Sequence, residues 1–516
     1  MRRQFPPPPP DLNAFRRPVH VPFLNGLKVR DSILWTRTTQ MCSNPEFKGA
    51  REETRKMDTE KKQHARAWLA TVVLAMAAMI AMADKTLPML LMEPIKHAMA
   101  LTDVQIGILT GFTFAIAMAV AALPLAWLAD RYDRTLLLGV AITAWCLLTI
   151  ASGFATNFTA LFLCRLGVGL GEAALMPAAL SLIADLFPLR RVARASGLLF
   201  FGVTFGGVLA MVGGGALYGY LHAAALEGTL PLASDDAWRW TTIAFGAAGL
   251  VVAALVVTIL PEPRRRNPAM AAAAIGTPEA AGFREYLTAT LPFILLLVIC
   301  LGMSAIFTVG FNGWLAPFFT RTYGWSIERT GSTLGTILLV AGLLSPFIGV
   351  FFNQIVRRWM GREAPLAAIS LMLLVILPFV IGGPLMSNGL WAAAAVGIVI
   401  AISGGCSIVI SVIYVSIAPS HLRARVTAVL LLVLGLISGA GTVVYAGFTD
   451  IVLGDPSRIH LTMSLLSGLL ILFTAITSFF VDRRYPAVVA MAKEAELRHL
   501  GSGAADPRGH ELSATN

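Results

Sequence analysis

Long apolar runs recur along most of this chain and are separated by short polar loops. Each run has about 20 residues, which is enough for a helix to cross roughly 30 Å of hydrocarbon. Backbone in contact with lipid must satisfy its own hydrogen bonds, and the runs lack the alternation of barrel strands, so we predict helices. The pattern predicts an all-α membrane protein with twelve transmembrane helices, near residues 68–92, 103–126, 135–154, 158–184, 194–220, 239–260, 290–318, 331–355, 364–384, 388–416, 426–448 and 459–481.

The composition excludes a soluble globule. Hydrophobic residues make up 56% of the 516 positions and charged residues only 13%, which is too little polar surface for a water-soluble protein. Arginine and lysine concentrate in alternate loops. By the positive-inside rule, these loops and both termini are expected to face the cytoplasm, in a cell membrane of the inner or plasma type. The net charge of +11 then follows mainly from topology, and we expect no nucleic-acid partner.

Both ends and the middle of the chain fall outside the predicted membrane body. The first segment carries a proline run and scattered arginines, which predicts disorder, and Met57 is an alternative start of translation. The last segment resembles a short charged helix that fades into a small-residue tail. The predicted organisation is an N-terminal extension at 1–66, a first six-helix half at 67–261, a cytoplasmic linker at 262–287, a second six-helix half at 288–485 and a cytoplasmic tail at 486–516.

Four charged residues interrupt two of the apolar runs. Asp84 and Lys85 lie in the first run, and Arg165 and Glu172 lie in the fourth. A charge at the bilayer centre costs at least roughly 2.5 to 3.5 kcal/mol on insertion scales, so it persists where it is paired, faces water or functions. The helical rise places Asp84 and Arg165 at similar depth, with Glu172 two turns deeper on the same face as Arg165. The sequence therefore predicts a pair between Asp84 and Arg165 and a polar pathway through the membrane.

Neither the cysteines nor the histidines are spaced as metal ligands. The five cysteines contain no C-x-x-C pair, and the eight histidines form no H-E-x-x-H motif. No nucleophile set or phosphate loop is evident either. We therefore expect no metal, no cofactor, no catalytic residue and no enzyme activity.

A charge cluster ends the second predicted span. Residues 126–134 read A-W-L-A-D-R-Y-D-R, which places Asp130, Arg131 and Arg134 at a helix end. A carboxylate and two guanidinium groups there can latch neighbouring helices, and Asp130 can cap the positive end of another helix. Membrane anchoring alone explains the arginines but not the aspartate. We therefore predict a cytoplasmic gate at these residues.

This stretch resembles the loop signature G-x-L-A-D-R-x-G-R of the major facilitator superfamily, with Ala126 and Asp133 where glycines are usual. Residues 165–173, R-L-G-V-G-L-G-E-A, look like the R-x-x-x-G-x-G signature of the same superfamily. Their G-E-A ending is similar to the Spinster-like branch and its bacterial relatives. The resemblance covers about residues 66–485 and is looser in the second half. It implies two pseudo-symmetric six-helix bundles around a cavity that opens alternately to either side of the membrane.

The resemblance also implies roles for the buried charges. In Spinster-like transporters the matching residues are associated with proton coupling and conformational switching. By that likeness Asp84 is the proton site, Arg165 its partner and Glu172 a second protonatable group. Lys85 departs from the usual arginine, so the switch chemistry can differ. The alternative is structural: a polar pair at the outer end of a tilted first helix, with Arg165 and Glu172 only fixing helix packing.

These features predict a secondary active transporter that is proton-coupled and carries a small organic anion or an amphipathic, lipid-like solute. An uncoupled facilitator, a uniporter, is the alternative. The cavity looks mainly apolar, and Lys85 and Arg165 would suit an anionic head group. Expected partners are the solute, the proton and membrane lipids, and the protein is expected to be a monomer. The residues predicted to line the cavity are Asn312, Trp314, Ser407 and Tyr414.

Overall fold

The computed structural model describes residues 45–231, 233–261, 280–420 and 422–504. The chain divides into two units, residues 1–66 and residues 67–516. In the first unit, residues 45–66 are helical where the sequence predicted disorder, and residues 1–44 lie outside the described part. Residues 51–66 contain neither proline nor glycine and are rich in glutamate, lysine and arginine, which favour helix.

Among the described residues, twelve helices are long and apolar enough to cross a membrane, which confirms the predicted fold class and number of spans. The described residues contain no β-strand. The helices are α1 (Gln63–Leu90), α2 (Asp103–Ala121), α3 (Arg134–Gly153), α4 (Phe158–Leu186), α5 (Leu189–Leu226), α6 (Ser234–Ile259), α7 (Glu285–Gly313), α8 (Ile327–Met360), α9 (Pro365–Leu385), α10 (Gly389–Ser416), α11 (Arg425–Val452) and α12 (Pro456–Asp482).

Short polar side chains fix where several helices begin. Asp133 caps α3, Asn157 caps α4, Ser326 caps α8 and Asn388 caps α10, each accepting a hydrogen bond from a backbone N–H of the first turn. A helix leaves these N–H groups without intrahelical partners, so a side-chain oxygen at this position stabilises the helix end. These four side chains therefore fix the first residues of α3, α4, α8 and α10 next to the apolar runs.

Several boundaries differ from the prediction, among them both ends of the seventh span. Helix α7 is part of a longer helix, Ala280–Gly313, which begins inside the predicted linker, and residues 262–279 of that linker lie outside the described part. The seventh predicted span also continued to residue 318, whereas a separate helix, Leu315–Tyr323, follows α7. In the tail, helix Tyr485–Ala504 extends the predicted charged helix, and residues 505–516 are outside the described part.

Helices α1–α6 and α7–α12 form two bundles that meet along two seams, α2 against α11 and α5 against α8. We call the side of the membrane where α1 begins and α12 ends the terminal face, and the other side the distal face. Helices α2, α5 and α11 each contain a π-helical turn along these seams. Such turns locally widen a helix and are frequent at functional sites.

Candidate functional site

Three of the four predicted charged residues lie inside the first bundle. Asp84 on α1 is 1% exposed, and Glu172 on α4 is 8% exposed. With Arg165 they line a cavity of only about 20 Å³, which has room for a single water. The structure therefore brings together the side chains that the sequence placed at related depths.

The predicted pair between Asp84 and Arg165 does not form through the two side chains. Nη1 of Arg165 donates instead to the backbone oxygen of Asp84, at 3.3 Å. The carboxylate of Asp84 accepts a long hydrogen bond of 3.4 Å from Oγ1 of Thr149 on α3, and its Oδ1 has no partner among the described residues. The correction has a simple reason: helical rise fixes the depth of a residue but not the direction of its side chain.

Lys85 borders this cluster and also faces the space between the bundles. Its ammonium lies 4.3 Å from the centroid of the Phe114 ring, a cation–π contact. The residue lines the 20 Å³ cavity and two larger ones. The structural alternative placed Lys85 at the outer end of a tilted helix; the structure places it on a cavity wall.

A cavity of about 420 Å³ lies between α1 and α5 of the first bundle and α7, α8 and α10 of the second. We call it the central cavity. Its wall includes Lys85 and two of the predicted residues, Asn312 and Ser407. A second cavity of about 350 Å³ shares Lys85 and lies between α2 and α11 with mainly apolar walls. Lys85 is thus the cation that both cavities share.

A side pocket of about 200 Å³ opens from the central cavity into the second bundle. We call it the hydroxyl recess. The predicted residue Tyr414 lies here and not in the central cavity itself, and Ser407 lines both spaces. The side chains that give the recess its name are Ser304, Thr308, Ser403, Ser407 and Tyr414.

Trp314 does not line the central cavity, contrary to the prediction. Its side chain is fully buried, and its indole N–H donates to the backbone oxygen of Thr442 on α11, at 2.9 Å. The residue occupies the break between α7 and helix Leu315–Tyr323. A buried tryptophan usually pairs its indole N–H, and Trp314 does so with a backbone oxygen of the second bundle.

The predicted gate motif is described only in part. The side chains of Asp130 and Arg131 lie outside the described part of the structure. Arg134 is buried at the start of α3 and donates to Oγ of Ser181 at 2.6 Å and to Oδ2 of Asp185 at 2.7 Å, both on α4. The described contacts of Arg134 therefore hold α3 and α4 together within the first bundle.

Sequence reasoning missed an ion cluster on the distal face, which joins the two bundles. We call Glu93, Lys96, Asp103 and Arg321 the distal ion cluster. Arg321, in helix Leu315–Tyr323 of the second half, forms a bidentate pair with Asp103 of the first, at 2.7 and 2.8 Å. It also donates to Glu93 at 2.8 Å, and Lys96 pairs with Asp103.

Arg321 makes every contact between the two halves in this cluster, because it alone of the four residues belongs to the second half. Burial by itself would lower the pKa of its guanidinium, but hydrogen bonds and charge from Asp103 and Glu93 outweigh burial and raise the pKa above its ordinary value. The side chain of Asp103 is fully buried. In the sequence, the only signal was the presence of Lys96 and Arg321 in loops that otherwise carry few basic residues.

Close helix packing continues the closure on the distal side. Oγ1 of Thr442 on α11 donates to the backbone oxygen of Gly107 on α2, at 2.6 Å. On the other seam, a Cβ at Gly331 of α8 would overlap the backbone oxygen of Met211 on α5. Small residues let helix backbones approach this closely in membranes.

Comparison with known proteins identifies the family. A family model described as Major Facilitator Superfamily matches residues 74–442. The chain belongs to the major facilitator superfamily. This confirms the family predicted from the loop and fourth-helix motifs. With its twelve apolar helices, this superfamily member is an integral, multi-pass membrane protein.

Similar proteins of the superfamily have names that indicate different kinds of transporter. An MFS-type efflux pump of Mycolicibacterium smegmatis is 29% identical over 299 residues, or 58% of this chain and 63% of that protein. A probable L-galactonate transporter of Escherichia coli is 32% identical over 137 residues, 27% of this chain and 30% of that protein. Protein spinster of Drosophila melanogaster is 24% identical over 332 residues, 62% and 51% respectively. The chain spans less than two thirds of the length of each.

Solved structures share the fold of this superfamily member. A bacterial homolog of the human lysosomal transporter Spinster, in an inward-facing and unoccupied conformation, superposes with a TM-score of 0.68 at 24% identity, covering 84% of this chain and 98% of that one. The inward-open xylose transporter XylE from E. coli gives 0.55 at 15% identity, covering 78% and 94%. Together with the spinster match, the first of these confirms the predicted Spinster-like resemblance.

Proposed function

We propose that this protein is a secondary active transporter that works by alternating access. The observation that carries the proposal is the central cavity, which lies between the two bundles and holds a cation, Lys85, on its wall. In alternating access the two bundles rock about a central site, so that contacts closing one side of the membrane break while contacts closing the other side form. The distal ion cluster supplies breakable contacts of this kind, since it joins the bundles through charged side chains.

We further propose that Asp84 carries the coupled proton. Its carboxylate is buried with one long hydrogen bond and one unpartnered oxygen. A buried carboxylate that no cation pairs with directly is costly in its ionised form, and a proton removes that cost. Arg165 and Glu172 line the same small cavity. Asp84 would release its proton when this cavity opens to water or when the Arg165 guanidinium moves next to the carboxylate. Proton binding would then change which conformation is favoured.

The proposed solute is a small organic anion or an amphipathic, lipid-like molecule. Lys85 is accessible in the cavity and would pair with an anionic group, while the shared walls are largely apolar. Among the relatives, the probable L-galactonate transporter favours the organic anion and protein spinster the lipid-like solute. We place the protein in the inner or plasma membrane as a monomer surrounded by lipid, with both termini in the cytoplasm.

The test uses purified protein in proteoliposomes that hold a trapped pH dye. A panel of organic acids, lysolipids, sugars and drugs is added with and without an imposed pH gradient. We expect one solute to move protons, and Asp84→Asn to abolish that movement while solute binding persists. Asp236→Asn is the matched control, because Asp236 pairs with Arg239 near the distal surface, away from the cavity. Proton-coupled uptake that survives in Asp84→Asn contradicts the assignment of Asp84.

One observation favours the uniporter as a second candidate. Arg165 binds the backbone of Asp84 and not its carboxylate, as a residue with a purely structural role would. In that case a solute equilibrates across the vesicle membrane at a rate independent of the pH gradient, in the parent protein and in Asp84→Asn alike. That result would refute proton coupling and leave alternating access intact.

A further inference from the structure

Most hydroxyl groups of the hydroxyl recess lack the hydrogen bond that serine and threonine usually make in a membrane helix. Serine and threonine in membrane helices commonly donate to the carbonyl four residues earlier. Thr308 does so at 2.8 Å, Ser345 at 2.6 Å and Ser411 at 3.1 Å. Most hydroxyls of the recess do not. Those without a hydrogen bond to another described residue are Ser304, Ser403, Ser407 and Tyr414.

Ser403 is the most informative of these residues. Its Oγ is fully buried and has no hydrogen-bond partner among the described residues. The residue lines both the recess and the central cavity, so a rotation about its Cα–Cβ bond would present this hydroxyl to a molecule in the recess. A buried polar group without a partner is costly, and a hydrogen-bonding group bound in the recess would remove that cost.

The recess and the cavity wall have different chemistry. The described residues that line the recess carry no charge, whereas Lys85 lies on the opposite wall of the central cavity, in the first bundle. An ionised group in the recess would be desolvated without a counter-charge, which is strongly unfavourable. A neutral group that both donates and accepts hydrogen bonds fits it. The recess is also small, at about 200 Å³, less than half the volume of the central cavity.

We propose that the hydroxyl recess binds a neutral, hydroxylated part of the solute while an anionic group of the same molecule pairs with Lys85. This inference rests on the proposed transport function and narrows its solute to a small hydroxylated organic acid. An acyl chain in the recess would leave four hydroxyl groups without partners. Ser403 and Ser407 are then specificity-determining residues.

The test compares two acids of six carbons, L-galactonate and hexanoate, which differ in their hydroxyl groups. Uptake of each is measured in proteoliposomes for the parent protein, Ser403→Ala, Ser407→Ala and the control Ser411→Ala. Ser411 lies on the same helix, but its hydroxyl bonds to backbone oxygens of its own helix. Thermal unfolding and size-exclusion chromatography verify that each variant is folded.

We expect the parent to prefer L-galactonate, because a site that bonds hydroxyl groups rejects a solute without them. Each recess variant should lower that preference roughly tenfold, mainly by slowing L-galactonate uptake, and Ser411→Ala should leave it unchanged. Equal transport of the two acids, or an unchanged preference in both recess variants, overturns the inference. Transport of a lysolipid but of neither acid also overturns it and leaves the transport function standing. If no solute crosses at all, the transport function itself fails.

Discussion

Removal of the Arg321 side chain should open the distal face. Arg321→Ala would leave Asp103 fully buried with only Lys96 as a partner. Breaking a buried ion pair by removing one partner costs about 3 to 5 kcal/mol. The same charges separated and solvated in a distal-open state contribute only about 0 to 1 kcal/mol. The substitution should therefore shift the balance toward the distal-open state by at least about 2 kcal/mol, or roughly thirtyfold.

Distances between spin labels across the distal face report this shift. Labels at Leu226 on α5 and Leu390 on α10, both exposed near that face, belong to different bundles. Double electron–electron resonance on a background with the native cysteines replaced should show a longer distance in Arg321→Ala. Arg321→Lys should give an intermediate result, because a lysine cannot form the bidentate pair with Asp103.

The matched control is Arg458→Ala, which removes an arginine from the same side of the membrane. Arg458 is 56% exposed and pairs only loosely with Asp455, at 3.6 Å, so its loss should leave the label distance unchanged. A distance distribution in Arg321→Ala that matches the parent would refute the reasoning. It would mean that helix packing at the seams, and not the distal ion cluster, holds the face closed.

Two further substitutions test other parts of the structure. Gly331→Ala should force α5 and α8 apart, because its Cβ would overlap the backbone oxygen of Met211. We expect it to reduce solute uptake severely while membrane insertion persists. The control Gly397→Ala, whose Cβ would make only ordinary contacts, should leave uptake unchanged. Trp314→Phe removes the indole N–H that bonds the backbone oxygen of Thr442, an oxygen that also lies within helix Gly441–Gly447, so we expect a loss of about 0.5 to 1.5 kcal/mol in unfolding free energy with an unchanged KM. A raised KM with unchanged unfolding free energy would instead show that Trp314 contacts the solute.

The number and positions of the spans were predictable because the membrane imposes one physical rule. A helix that crosses hydrocarbon must be predominantly apolar over about 20 residues, so composition marks it. The rule stops at the membrane surface. Helix Ala280–Gly313 extends into a region that the sequence predicted as linker, since nothing in water prevents a helix of alanines and good helix formers from continuing.

The identities of the buried charges were predictable for the same reason, but their contacts were not. Trp314 shows the limit clearly: it is aromatic, lies near the end of an apolar run and was expected to meet solute. Its orientation depends on Thr442, which is 128 positions away in the chain. Arg321 and Asp103 are separated by 218 positions. Contacts between the two halves depend on how the bundles dock, which no local pattern records.

The docking of the two bundles gives the adjacent residues Asp84 and Lys85 different surroundings. Consecutive residues on a helix point about 100° apart, because a turn takes 3.6 residues. On a helix between the bundle interior and the central cavity, one of two neighbouring charges is therefore buried among α3 and α4 while the other faces the cavity. Asp84 takes the first position and Lys85 the second. A change of charge at Asp84 is thus one residue away from the cation proposed to hold the solute, so the proposed proton site and the proposed solute site adjoin each other on one helix.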